Sequence, residues 1–328
     1  MKSMKNCLIE TTKGMVAGIE NGACAVFKGI PYAKPPVGEL RWKAPVEMDP
    51  WEGVYPADHF ANIPWQRIPQ PDVPVMGRYY KEFYSDPAYV PEMSEDCLYL
   101  NIWRPKDAEN EKLPVAFWIH GGGFGSGNSS EIEFDGEAFC RKHVILVTIE
   151  YRLNVFGFLA HPWLSAENQQ SISGNYGILD QIAALKWVYE NIEAFGGDHH
   201  NITVFGQSAG SMSTQVLVSS DLTGNMPAKA IMQSGITCMD DILLTPTLKE
   251  EEMFGEKFAA YAGVSSLEEL RALTPDQILA AKDQFDDEMF RTGVGLAMVP
   301  NVDGYILRET VGDIWKKGAM KKIPYMAG

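Results

Sequence analysis

The stretch Ile202–Thr203–Val204–Phe205–Gly206–Gln207–Ser208–Ala209–Gly210 leaves the chain few ways to fold. Four residues rich in β-branched and aromatic side chains run into Gly-x-Ser-x-Gly. The following Ser211–Val218 reads as a helix, so the spacing predicts strand, sharp turn, helix. A serine in such a turn sits in a strained backbone conformation that lifts its hydroxyl above the sheet edge. Glycines two before and two after it, here Gly206 and Gly210, remove side chains that would collide. A helix starting at Ala209 adds unpaired backbone N–H groups and a positive dipole end beside Ser208, which suits a developing oxyanion. No charged residue occurs from Ser208 to Ser220, so this helix is expected to be buried on all sides. Three fixed positions alone also describe an ordinary glycine turn, and it is the flanking strand and uncharged helix that favour a reactive serine.

A second glycine-rich element, His120–Gly121–Gly122–Gly123–Phe124, follows directly on the apolar run Val115–Ile119. Consecutive glycines leave backbone N–H groups unobstructed, free to converge on one negative oxygen from the loop above a neighbouring strand. Phosphate binding is the competing reading, and both of its spacings fail. Ser126 or Asn128 stands where G-x-G-x-x-G needs its third glycine, and Asn128 occupies the lysine position of a P-loop.

Composition excludes other classes. A formal charge of −15 over 328 residues argues against a nucleic-acid partner, which needs clustered Lys and Arg. The N-terminal residues lack an apolar core of signal-peptide length, and no stretch is long and apolar enough to span a bilayer, so the chain reads as cytoplasmic with no membrane partner. Five cysteines, Cys7, Cys24, Cys97, Cys140 and Cys238, form no C-x-x-C pair; they fit reduced thiols better than a disulfide framework or a zinc site.

Taken in order, Gly14–Glu20 and Ala23–Lys28 flank Asn21-Gly22 and predict an opening β-hairpin. Gly29–Trp42 is too proline-rich for regular structure. Between Trp51 and Met93 lies a long irregular stretch dense in prolines and aromatics, including Trp65, Tyr79, Tyr80, Phe83, Tyr84 and Tyr89. It is expected either to border a ligand pocket or simply to be held down by its rings. Strands are expected at Leu98–Trp103, Val115–Ile119, Val144–Ile149 and Ala230–Gly235, with one more opening at Ile323. In Tyr176–Ile192, the residues Ile178, Ile182, Leu185, Tyr189 and Ile192 mark a helix stripe that packs on such a sheet. Helices follow between Thr247 and Gln284, with capping boxes at Ser265-Ser266 before Glu268-Glu269 and at Thr274–Gln277. Alternating strands and helices, with no linker, imply one α/β domain around a mostly parallel sheet covered on both faces. His199-His200 read as a solvated loop pair, His59, His143 and His161 as packing or surface residues, and Glu250–Glu252 and Asp286–Glu288 as exposed faces. No metal site is expected.

The chain also resembles the type B carboxylesterases. Phe195–Gly210 is similar to the family's nucleophile signature and Glu95–Pro105 to its second signature. Supporting matches are Phe27–Ala33, His120–Phe124, Tyr151–Phe158 and Asn175–Gln181. The resemblance covers essentially the whole chain and implies an α/β-hydrolase fold without a cofactor, acting on small-molecule esters. It implies Ser208 as nucleophile, the N–H groups of Gly122, Gly123 and Ala209 as oxyanion hole, Ser234 as support for the triad acid, and Phe124 as a substrate-binding residue. It further implies two buried ion pairs, Arg41 with Glu95 and Arg152 with Asp180. The family's triad glutamate and histidine have no counterpart in residues 1–328. The chain therefore reads as the N-terminal portion of a single catalytic domain, or as one that pairs with a C-terminal fragment, nearly inactive alone and with an exposed sheet edge. Cys97 matches a cysteine that is disulfide-bonded in secreted members, yet residues 51–96 offer no partner. Two other readings fit the same scaffold: a non-catalytic adhesion-type binding protein, and a serine amidase, thioesterase or acyltransferase.

Overall fold

The computed structural model describes residues 6–68, 70–73, 76–106, 111–235 and 245–328. One mixed sheet organises them. Its strands are β1 (Asn6–Thr11), β2 (Gly14–Asn21), β3 (Cys24–Pro31), β4 (Val54–Pro56), β5 (Tyr99–Pro105), β6 (Leu113–Ile119), β7 (Ile145–Ile149), β8 (Gly197–Gln207), β9 (Lys229–Gln233) and β10 (Tyr325–Ala327). The order is β1-β2-β3-β5-β7-β6-β8-β9-β10, with β4 beside β2. From β7 to β10 the pairing is parallel, whereas from β1 to β7 it is antiparallel apart from β4, which runs parallel to β2. The Asn21-Gly22 hairpin forms as expected, with Asn21 opposite Cys24. β6 and β7 are apolar and buried almost throughout, as central strands covered on both faces must be.

The Tyr176–Asn191 helix covers the sheet through Ile178, Leu185, Val188 and Ile192, while Ile182 and Tyr189 lie half-buried at the edge of that face. The Ala209–Ser219 helix is buried over nearly its whole length. Two of its buried polar residues are paired: Gln181 Nε2 donates to Ser213 Oγ at 2.9 Å, and Thr214 Oγ1 to the Gly210 carbonyl at 2.9 Å. Both ion pairs are present. Arg152 meets the fully buried Asp180 in bidentate fashion, through Nε and Nη2, each at 2.7 Å. Arg41 meets Glu95 through Nε and Nη2 at 2.6 and 2.5 Å, and its Nη1 reaches the carbonyls of Arg271 and Leu273.

Three expectations need correction. Cys24 and Cys140 are joined in a disulfide across a sequence separation of 116 residues, because β3 and the Glu137–Cys140 helix bring their Cα atoms to 5.8 Å. Cys97 is a buried thiol, and Cys238 lies outside the described residues. His199 and His200 belong to β8, which begins at Gly197 opposite Leu113; they fall in the irregularity between that pair and the next, Val115 opposite Ile202. His199 Nδ1 lies 3.0 Å from Glu193 and its ring packs on Tyr189, so it is not a freely solvated residue. In the run Glu250–Glu252 the middle residue points inward: Glu251 is 1% exposed and accepts the Met298 N–H at 3.1 Å.

The 51–93 stretch is also more regular than its sequence suggests, holding β4 and a helical segment at Met76–Tyr84. Thr247 and Glu250 form a full capping box, as do Thr274 and Gln277. At the third helix Ser266 caps Glu269, while Glu269 reaches back to Ser265.

Candidate active site

The end of β8 delivers Ser208 into a tight bend. Its backbone angles, φ 54° and ψ −121°, are sparsely populated for any non-glycine residue. The strain is held by neighbours on three sides. The Ser208 N–H donates to the Gln233 carbonyl at 2.8 Å, and Met212 N–H caps the Ser208 carbonyl at 3.0 Å. Gly235 packs so closely that a Cβ there would lie 2.5 Å from that same carbonyl oxygen. Gly206 and Gly210 perform the steric role expected of them, since a Cβ on Gly206 would meet the Gly210 carbonyl oxygen at 2.4 Å.

The glycine triplet arrives from the end of β6, which lies beside β8 with Ile119 opposite Gly206. Gly121 faces Ser208 directly, because a Cβ on Gly121 would sit 3.3 Å from the Ser208 Cβ. Gly122 has φ 105° and Gly123 φ 62°, and the Gly122 carbonyl turns away to accept from Gly125 and Ser126. Among the described residues, the N–H groups of Gly122, Gly123 and Ala209 donate to no carbonyl or side chain. The loop is tied from outside by Gln66, whose amide exchanges two hydrogen bonds with Gly127 at 2.8 and 2.9 Å. Asn154 fixes the other end, its N–H donating to the Phe124 carbonyl at 2.6 Å.

Phe124 itself is 2% exposed and packs on Phe158, with ring centres 5.0 Å apart. Ser234 follows β9 with φ 53°, and its N–H donates to the Gly328 carbonyl at 2.5 Å. Ser208 Oγ bonds to no histidine among the described residues. His120 is the imidazole nearest in sequence to the triplet, but its Nδ1 lies 2.9 Å from the Gly121 carbonyl and its Nε2 faces Glu150 at 3.8 Å. His59 is exposed beside Asp58, and His161 is buried and caps the N–H of Trp163.

A cavity of about 430 Å³ opens against Gly121 and Gly122. Tyr79 and Tyr84 from the aromatic stretch line it together with Trp118, Phe134 and Gln207, so that stretch does border a pocket. Its buried polar centre is Glu131, which accepts from Tyr79 Oη at 2.8 Å and from Tyr84 Oη. Burial pushes the Glu131 carboxyl up to about 7, against the pull of the two tyrosine hydroxyls. Sequence reasoning passed over Gln66, Glu131 and Glu150. The first two carry no local signal, whereas a carboxylate directly after the apolar run 144–149 is a signal for the third.

The Carboxylesterase family model matches residues 5–328. The chain belongs to the carboxylesterase family. Among curated members it is 39% identical over 320 residues to the fumonisin B1 esterase of Sphingopyxis macrogoltabida, covering 97% of this chain and 54% of that protein. It is 38% identical over 328 residues to the para-nitrobenzyl esterase of Bacillus subtilis (strain 168), covering 99% and 62%. A solved thermophilic PNB esterase superposes with a TM-score of 0.86 at 36% identity, over 99% of this chain and 63% of that one. This carboxylesterase-family chain thus spans about half to three-fifths of the length of the curated relatives it matches. The structural likeness bears out the α/β-hydrolase fold expected from the sequence.

Proposed function

We propose that this chain carries the nucleophile and the oxyanion cradle of a serine carboxylesterase acting on small-molecule esters. The observation that carries the reading is the strained Ser208, at the start of a buried helix and facing the glycine triplet across Gly121. Ser208 Oγ attacks the ester carbonyl, and the resulting oxyanion is held by the N–H groups of Gly122, Gly123 and Ala209. The alcohol leaves, and water releases the acid from the acyl-enzyme. Each cradle donor is worth about 10²–10³ in rate in a comparable site. The cavity beside Gly121 and Gly122 takes part of the substrate.

A serine hydroxyl needs a base to lose its proton near neutral pH, and His120 is engaged elsewhere. The triad acid and histidine are proposed to come from outside these 328 residues, in a longer chain or a C-terminal fragment that completes the site. Without them, roughly 10³–10⁴-fold catalysis over water remains. The test is made on the protein completed with the portion that bears the acid and the histidine: fluorophosphonate labelling with mass spectrometric mapping, alongside p-nitrophenyl acetate hydrolysis by the wild type and Ser208→Ala. Labelling at Ser208 and loss of hydrolysis in the variant support the reading. A label elsewhere, or hydrolysis undiminished in Ser208→Ala, overturns it.

A further inference from the structure

Behind the glycine triplet lies a buried polar pair that the ester chemistry does not use. His120 is 1% exposed and Glu150 3%, and Nε2 of one faces Oε2 of the other at 3.8 Å. Among the described residues neither of these two atoms has a hydrogen-bond partner, although the other polar atom of each side chain is engaged. Glu150 Oε1 accepts from both the N–H and the hydroxyl of Ser129, each at 2.7 Å. The imidazole stacks on Tyr151 at 4.5 Å, and the Tyr151 hydroxyl donates to the His120 carbonyl at 2.9 Å.

The other ring nitrogen settles the tautomer. Nδ1 lies 2.9 Å from the Gly121 carbonyl oxygen, which can only accept, so Nδ1 carries the proton and Nε2 is bare. Gly127 makes room for this bond, since a Cβ there would fall 2.6 Å from both Nδ1 and the Gly121 oxygen. The Gly121 carbonyl and the Gly122 N–H belong to one planar trans peptide and point in opposite directions. Holding the carbonyl toward His120 therefore turns the Gly122 N–H away from His120.

We propose that Glu150 is a positioning residue: its carboxylic acid proton, directed at His120 Nε2, keeps the imidazole in the Nδ1–H tautomer that orients the Gly121–Gly122 peptide. Burial supports this proton inventory, holding the Glu150 carboxyl up at about 8 and the His120 imidazole down at about 4. The separation exceeds a direct hydrogen bond, and a movement of about 1 Å closes it.

The inference rests on the Ser208 reading for its catalytic consequence but not for its structural one, so two readouts separate them. In protein labelled with ¹⁵N at histidine and glycine, wild type is expected to show the Nδ1–H tautomer at His120. Glu150→Leu is expected to lose it and to shift the Gly122 amide. Glu150→Gln, whose amide N–H still donates to Nε2, is expected to keep both. In the protein completed with the acid and the histidine, fluorophosphonate labelling of Ser208 should slow by about 10- to 100-fold in Glu150→Leu and recover in Glu150→Gln. An Nε2–H tautomer in wild type overturns the proposal, as does an unchanged tautomer in the leucine variant or equal loss in the leucine and glutamine variants. Absence of labelling in wild type would sink the Ser208 reading alone, leaving the tautomer to decide this one. Should the leucine variant not fold, the wild-type tautomer and its persistence in Glu150→Gln still decide.

Discussion

Gly210 rests on Ile119 so closely that a Cβ on the glycine would lie 2.0 Å from the Ile119 carbonyl oxygen. The last residue of β6 and the first turn of the Ala209–Ser219 helix are thereby locked together, and Ser208 and the glycine triplet hang from the two sides of that contact. Their spacing depends on a missing side chain. Gly210→Ala must push the helix away from backbone atoms that cannot yield. The expected cost is about 1–3 kcal/mol in urea unfolding, with at least a tenfold slower labelling of Ser208. Equal stability and labelling in the variant would show that the close approach does not govern the site.

Arg152 and Asp180 are both almost fully buried, and the carboxylate also accepts the Arg152 N–H at 3.1 Å. Arg152→Ala leaves a buried carboxylate without its cation. A loss of about 3–5 kcal/mol is expected from denaturant midpoints, and the double replacement of both residues by apolar ones should cost less than the single.

The Cys24–Cys140 bond links β3 to the Glu137–Cys140 helix over a long closed loop. Adding reductant, or replacing both residues by serine, is expected to lower stability by about 2–4 kcal/mol. Mass spectrometry after alkylation without reductant should find both of these cysteines unmodified. Alkylation of either one in the folded protein would contradict the linkage.

Glu251 gives a pH dependence of definite sign. Burial holds its carboxyl up at about 8, above the ordinary value of 4.5, although the N–H groups of Met298 and Val299 pull it down. Between about 4.5 and 8 the folded chain keeps a proton that the unfolded chain has released, so this group lowers stability as pH rises through that window. The slope approaches about 1.4 kcal/mol per pH unit. His120, held down at about 4, acts in the opposite sense between about 4 and 6.5. Glu251→Gln removes only the first contribution. Unfolding midpoints at pH 5 and pH 8 should therefore differ less in the variant than in wild type, and an equal difference would refute the assignment.

Much of the site was legible because its physics is local. Gly206, Ser208 and Gly210 announce a bend only small residues can make, and the uncharged run to Ser220 announces a helix with no face to water. Gly121–Gly123 after a fully apolar strand likewise had one good use. The rest lay in contacts between segments far apart in the chain. Nothing in Glu250–Glu252 says that its middle carboxylate meets the Met298 N–H, and nothing in Gln66 says that it ties down Gly127.

The amino-acid sequence by itself determined the strands, the bend at Ser208 and the family, since these follow from periodicity, glycine placement and runs of identity. Only the tertiary structure decided that Cys24 meets Cys140, that Glu131 sits between two tyrosines, and that His120 carries its proton on Nδ1. Such pairings depend on which buried polar groups are left facing each other once the sheet has assembled. Burial, which makes an unmatched group costly, is a property of the folded chain alone.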